Sequence, residues 1–177
     1  MIIENVCVCG AGTMGSGIAM AAAQSGFRVI LFDSFPDAVS RAQKSIETSL
    51  TQLVQKGKLT EEQSASIKQR IGYTSDYNDC AASLVIEAIV EKMDIKVELF
   101  QKMAAINSSE TILASNTSSL SVNELQRHIK NPERVAGLHF FNPAQIMKLV
   151  EVVRADDTKE DVVNILVDFC NKLGKTP

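Results

Sequence analysis

Short apolar runs alternate with helical periodicity along the whole chain. The pattern predicts strands at Val6–Cys9, Phe27–Phe32, Ile71–Thr74, Leu84–Ile89, Thr111–Ser115, Val135–Phe140 and Leu149–Arg154. It predicts helices at Thr13–Ser25, Pro36–Lys56, Asp94–Ile106 and Thr158–Leu173. Ser34 is placed to cap the helix that Pro36 opens. Thr60-Glu61-Glu62-Gln63 matches a capping box, so another helix should run to about Arg70. Ser121-Val122-Asn123-Glu124 is a second box and opens a short helix that stops before Asn131-Pro132. Strands alternating with helices predict βαβ units in an α/β fold: a doubly wound, mostly parallel sheet. The two helices over 36–70 exceed one crossover and should project from that sheet as a helical hairpin.

Length and composition narrow this picture. The 177 residues suit one domain, 1–177, with a core that needs no disulfide or metal. The turn-like Gly174-Lys175-Thr176-Pro177 suggests that a further strand follows, as in a chain cut before its natural end. Eighteen basic against 21 acidic residues give a net charge of −3, without the basic surplus of a phosphate-backbone binder. Aromatic residues make up 5% and Trp is absent, which disfavours a base-stacking platform. No apolar run reaches the length of a membrane span, and Met1-Ile2-Ile3-Glu4 does not read as the start of a signal peptide. No nucleic-acid or membrane partner is expected. Cys7, Cys9, Cys80 and Cys170 show no metal-ligand spacing and read as buried free thiols in a reducing, cytoplasmic setting; no metal is expected.

Gly10-Ala11-Gly12-Thr13-Met14-Gly15 is G-x-G-x-x-G between a predicted strand and a predicted helix. Gly10 suits the tight turn, Gly12 lets a pyrophosphate reach the backbone, and Gly15 lets helix and sheet pack closely. The helix end then offers N–H groups and a positive dipole to phosphates. Asp33 ends the second strand, 18 residues after Gly15. A carboxylate there accepts hydrogen bonds from ribose hydroxyls and repels the extra phosphate of NADP. No Arg follows in Ser34-Phe35, so NAD is the expected cofactor and the sheet should be Rossmann-like.

The chain has two histidines. His128 falls near the end of a polar helix, where a solvated role suffices. His139 lies at the C-terminal end of a predicted strand, where ligands of open α/β sheets bind. A lone His in an apolar run is more often a satisfied core residue. Glu151, a carboxylate among the apolar residues of Leu149–Val153, shifts that balance, because burial without a partner is costly. If the last two strands pair antiparallel about a turn near Gln145, His139 and Glu151 face each other. The carboxylate then orients the ring as a general base. Ser115-Asn116-Thr117-Ser118-Ser119 follows another strand and could bind a polar group, or could equally serve only to cap the next helix.

Taken together, these motifs resemble the 3-hydroxyacyl-CoA dehydrogenase family, in particular its bacterial 3-hydroxybutyryl-CoA dehydrogenases. The resemblance rests on Gly10–Gly17, Asp33, Glu87–Lys92 (EAIVEK), Ser115–Leu120 (SNTSSL), Gly137–Pro143 (GLHFFNP) and Lys148–Val152 (KLVEV). It implies NAD-dependent interconversion of an (S)-3-hydroxyacyl-CoA and its 3-ketoacyl-CoA in fatty-acid or butanoate metabolism. It implies His139 as catalytic base, Glu151 as its partner and Ser118 as a hydrogen-bond donor to the substrate oxygen. Gly10, Gly12, Thr13, Met14, Gly15, Asp33, Glu91, Lys96, Ser118 and Asn142 would serve the cofactor. Ser49, Lys56 and Ser118 would serve the coenzyme A substrate. It further implies a helical C-terminal domain, absent from this chain, that forms a homodimer and closes over the substrate, so the isolated piece should be poorly active or inactive. Two other readings are a non-catalytic, crystallin-like NAD-binding relative and a 2-methyl-3-hydroxyacid dehydrogenase. The intact Ser118, His139 and Glu151 set disfavours the first, and the Gly137–Pro143 stretch disfavours the second.

Overall fold

The computed structural model describes residues 2–177. In chain order the elements are β1 (Asn5–Cys9), α1 (Thr13–Gln24), β2 (Arg28–Phe32), α2 (Pro36–Gln55), α3 (Glu61–Gln69), β3 (Ile71–Thr74), β4 (Leu84–Glu87), α4 (Met93–Ile106), β5 (Ile112–Ser115), α5 (Val122–Gln126), β6 (Val135–Phe140), β7 (Val150–Val153) and α6 (Glu160–Lys172). The seven strands form one sheet in the order β3-β2-β1-β4-β5-β6-β7. All pairs are parallel except β6 with β7. This is the Rossmann strand order, with its switch point between β1 and β4, where a crevice opens at the strand ends.

Two cores flank the sheet because successive side chains of a strand point to opposite faces. Val6 and Val8 of β1 join the core built with α1, α2, α3 and α6. Cys7 and Cys9 join the opposite core, with Cys80, Phe100, Met103 and Leu125. All four cysteines are free and buried, as expected, and Cys7 and Cys9 share one face as their alternation predicts. Val39, Ala42, Ile46 and Leu50 form the buried stripe of α2, at the spacing of one helix face. The α2–α3 hairpin contributes to the first core through Ile46, Leu50 and Ile67.

The helix starts test the local readings. Thr60 makes a complete capping box with Gln63, as expected. At α5 only half of the box forms: Ser121 Oγ accepts the Glu124 N–H. Ser34 does not cap α2. Phe35 occupies the N-cap without a side-chain bond, while Asp33 Oδ1 accepts the Phe35 N–H at 3.0 Å. Pro36 stands in the first turn as predicted. β4 stops two residues before its predicted end, because the Ile89 N–H turns back to Glu87 Oε1 at 2.8 Å. The last helix starts at Glu160; the Thr158 hydroxyl is instead buried against Val135 O and the Ala155 N–H.

Candidate active site

The first half of the site is the β1–α1 turn. Gly10 has φ +109°, and a Cβ there would lie 2.5 Å from Ala88 O, so only glycine lets β1 and β4 come together at the crevice. A Cβ on Gly15 would collide with the carbonyl of Gly10. Around Gly12 the space is open. Gly12 is the N-cap of α1 and supplies no capping side chain, so Thr13, Met14 and Gly15 begin the helix with N–H groups that lack intrahelical acceptors. Asp33 braces this turn from β2: its Oδ2 accepts the Ala11 N–H at 2.8 Å. A carboxylate has about four acceptor sites, so two bonds to the backbone leave room for ribose hydroxyls.

Gly12 and Asp33 border two grooves. One, of about 780 Å³, is apolar and runs past Phe35, Tyr77, Val90 and Ile95. The other, of about 430 Å³, runs between α1 and α2 past Arg41, Ser45 and Ser49. The apolar groove, the open helix end and the free capacity of Asp33 together fit a dinucleotide. Ser49 stands in the second groove, whereas Lys56 caps the far end of α2 and lines neither groove.

The second half is at the β6–β7 edge. His139 pairs with Glu151 in the antiparallel register, with Nδ1 2.8 Å from Glu151 Oε2. The turn is centred near Gln145, as predicted. One premise is corrected: Glu151 is not a buried carboxylate. Its side chain is 54% exposed and that of His139 18% exposed, because β7 is the last strand of the sheet. Ser118, His139 and Glu151 line one cavity of about 340 Å³. Asn142 is exposed, three residues beyond His139 and outside the lining of that cavity. His128 is exposed, as expected.

Between the two halves lies a network of buried charge. Glu87, fully buried at the end of β4, accepts from Lys96 Nζ at 2.6 Å and from Ser115 Oγ at 2.6 Å. Lys96 is only 1% exposed and bridges Glu87 to Glu91 Oε2, 3.0 Å away. Glu91 Oε1 accepts from the Thr117 hydroxyl and from the backbone N–H groups of Ser118 and Ser119. Burial pushes the Glu91 carboxyl up, but the Thr117 and Lys96 hydrogen bonds and the Lys96 charge outweigh it and bring it down to about 2. The resemblance put Lys96 in contact with NAD. In the structure its ammonium lies beneath the surface, paired with Glu87 and Glu91. Sequence reasoning gave no separate role to Glu87, Ser115, Thr117 or Tyr77. The apolar run Leu84–Ile86 ending in a carboxylate was the available signal for Glu87.

Fold and site thus define a dinucleotide-binding domain with a histidine–carboxylate pair beside it. The chain belongs to the family described as 3-hydroxyacyl-CoA dehydrogenase, NAD binding domain, whose model matches residues 5–177. NAD is therefore its cofactor. It is 45% identical over 176 residues to a 3-hydroxyadipyl-CoA dehydrogenase of Escherichia coli (strain K12), covering 99% of this chain and 37% of that protein. It is 42% identical over 177 residues to a probable 3-hydroxybutyryl-CoA dehydrogenase of Bacillus subtilis (strain 168), covering 99% of this chain and 62% of that protein. A crystal structure of a 3-hydroxybutyryl-CoA dehydrogenase from Escherichia coli K12 superposes with a TM-score of 0.98 at 44% identity, over 100% of this chain and 38% of that one. The chain therefore spans less than two thirds of the length of these relatives. Among the described residues no helix is long and apolar enough to cross a membrane.

Proposed function

We propose that the protein containing this chain interconverts (S)-3-hydroxyacyl-CoA and 3-ketoacyl-CoA with NAD, and that 3-hydroxybutyryl-CoA is its substrate. The observation that carries this reading is the His139–Glu151 pair at 2.8 Å in a cavity shared with Ser118.

Glu151 holds Nδ1 of His139, which fixes the ring and leaves Nε2 to take the proton of the substrate hydroxyl. As the proton arrives, the carboxylate stabilises the imidazolium. Ser118 Oγ donates to the same substrate oxygen. NAD would supply hydride acceptance and donation at the hydroxyl-bearing carbon. The N–H groups of Thr13, Met14 and Gly15 would hold its pyrophosphate, and Asp33 would hold its adenine ribose. Ser49 and Lys56 lie seven residues apart, two turns along one face of α2, where they can accompany a long coenzyme A moiety. Glu91 and Asn142 remain cofactor-side residues in this reading. The remaining length seen in the relatives supplies a C-terminal helical domain, homodimerisation and the closing wall of the substrate site, in a cytoplasmic protein.

The test is acetoacetyl-CoA-dependent oxidation of NADH by the full-length protein, beside the isolated 177-residue chain. The full-length protein should turn over, and the chain should bind NADH with at least tenfold less turnover, because an open site positions the thioester poorly. Absence of turnover by the full-length protein with 3-ketoacyl-CoA substrates would overturn the reading.

A further inference from the structure

The turn of residues 141–149 leaves β6 just after His139 and returns as β7, which carries Glu151. It is held from two sides. On one side Lys175, buried beyond the end of α6, donates from Nζ to the carbonyls of Ala144 and Met147, both at 2.8 Å. The adjoining backbone is tied in as well: the Thr176 N–H donates to Lys148 O at 2.8 Å, and the Val150 N–H donates to Thr176 O at 3.0 Å. On the other side the turn rests on α1 at Gly17, where a Cβ would lie 2.7 Å from Gln145 Oε1 and 3.2 Å from Ala144 Cβ.

Lys175 pairs with no carboxylate among the described residues; its ammonium is spent on those two carbonyls. Burying a cation without a counter-ion is costly. A connection between antiparallel strands can close on its own backbone bonds, so closing the turn does not by itself call for a buried charge.

What the clamp leaves free is Gln145. Its side chain is half-buried and lines the α1–α2 groove with Thr13, Ser16 and Ser49. Among the described residues its amide has no hydrogen-bond partner. A primary amide offers N–H donors and a carbonyl acceptor together. It therefore matches a neutral chain of amides, which also donates and accepts, better than a phosphate, which at neutral pH mainly accepts.

We propose that Gln145 contacts the amide-bearing pantetheine arm of the acyl-CoA substrate, and that Lys175 is the positioning residue that aims it. The arm runs from the thioester beside His139 along the turn and into the groove of Ser49. Gly17 gives the Gln145 amide the room it occupies. The inference deepens the dehydrogenase reading above and rests on it, and its test includes an arm that does not depend on turnover.

Full-length protein is compared with its Gln145→Ala, Lys175→Met and double variants, using acetoacetyl-CoA and saturating NADH. Gln145→Ala should raise KM for acetoacetyl-CoA about 3- to 10-fold, the scale of one neutral hydrogen bond. Its kcat should stay within about twofold, because the contact is made equally in ground and transition states. NADH affinity by fluorescence titration should stay within about threefold. Lys175→Met should raise KM at least as much, and the double variant should add little to it, because both act through one amide. A Lys175 that served only stability would leave the KM of the folded variant unmoved. Lys175→Met can prevent folding; Gln145 is half-buried at the surface, so Gln145→Ala keeps the test valid. An unchanged KM in Gln145→Ala, or fully additive losses in the double variant, would overturn the proposal. The second arm is amide hydrogen exchange of Ile146 and Met147, whose N–H groups both donate to Pro143 O at 2.9 Å. In folded Lys175→Met both should exchange at least tenfold faster while the amides of β1 are unchanged. Unchanged exchange would overturn the clamp whatever the protein's activity. Absence of turnover by wild type would instead overturn the assignment of the reaction, and the substrate contact of Gln145 with it.

Discussion

His139 and Glu151 face each other across the one antiparallel pair of the sheet, with Nδ1 2.8 Å from Oε2. In the proposed reaction Glu151 orients the ring without touching the reacting proton. Glu151→Gln should therefore lower kcat less than His139→Gln does, while leaving NADH affinity within about threefold. Steady-state kinetics with acetoacetyl-CoA, set beside NADH titration, check this. Equal losses in the two variants would assign Glu151 a part in the chemistry itself.

Asp33 has carboxylate capacity left after bracing Ala11 and Phe35. The wild-type chain should bind NADH and discriminate against NADPH. Asp33→Ala should weaken NADH binding and narrow the gap to NADPH by more than tenfold, about 1.4 kcal/mol. Titration of the two cofactors decides it. Equal binding of both by wild type would remove Asp33 from the ribose.

Two glycines of one motif should fail in different ways. A Cβ on Gly12 meets nothing within 4 Å, so Gly12→Ala should fold like wild type and bind NADH at least tenfold more weakly. A Cβ on Gly15 runs into the Gly10 carbonyl, so Gly15→Ala should cost about 1–3 kcal/mol of stability. Chemical denaturation and NADH titration of both variants separate these effects.

Glu91 supplies the pH test. Its carboxyl drops from an ordinary value of 4.5 to about 2 in the fold. A group with a depressed folded value stabilises the protein fully above its unfolded value, and that contribution fades as pH falls towards the folded one. The stability difference between wild type and Glu91→Gln should hold constant above about pH 4.5 and shrink between there and pH 2. Urea denaturation of both proteins at a series of pH values measures it. A difference growing as pH falls would contradict the ion pair with Lys96.

Much of this arrangement was legible in the chain. His139 and Glu151 are symmetric about residue 145, so the register of β6 and β7 followed once both runs were read as strands. The glycine loop and Asp33 announced the Rossmann crevice because their chemistry is local to one strand–turn–helix unit. Thr60 and Gln63 likewise capped α3 as their spacing required. What stayed hidden depends on contacts between distant elements. Lys96 looks like a solvated helix residue until α4 lies over β4 and closes off its ammonium. Glu87 looks like the end of a strand, and only β5 alongside supplies Ser115 to hold it. Lys175 shows the same limit: it is buried, and its ammonium donates to the Ala144 and Met147 carbonyls of the turn after His139. Ser34 does not cap α2 because Asp33 reaches the same turn first.

The general-base role of His139 is best tested by the rate of acetoacetyl-CoA-dependent NADH oxidation in full-length His139→Gln protein against wild type. The account predicts a loss of about 10²- to 10⁴-fold in kcat, the usual worth of a positioned general acid or base, with NADH affinity unchanged. A variant that turns over at the wild-type rate would contradict it.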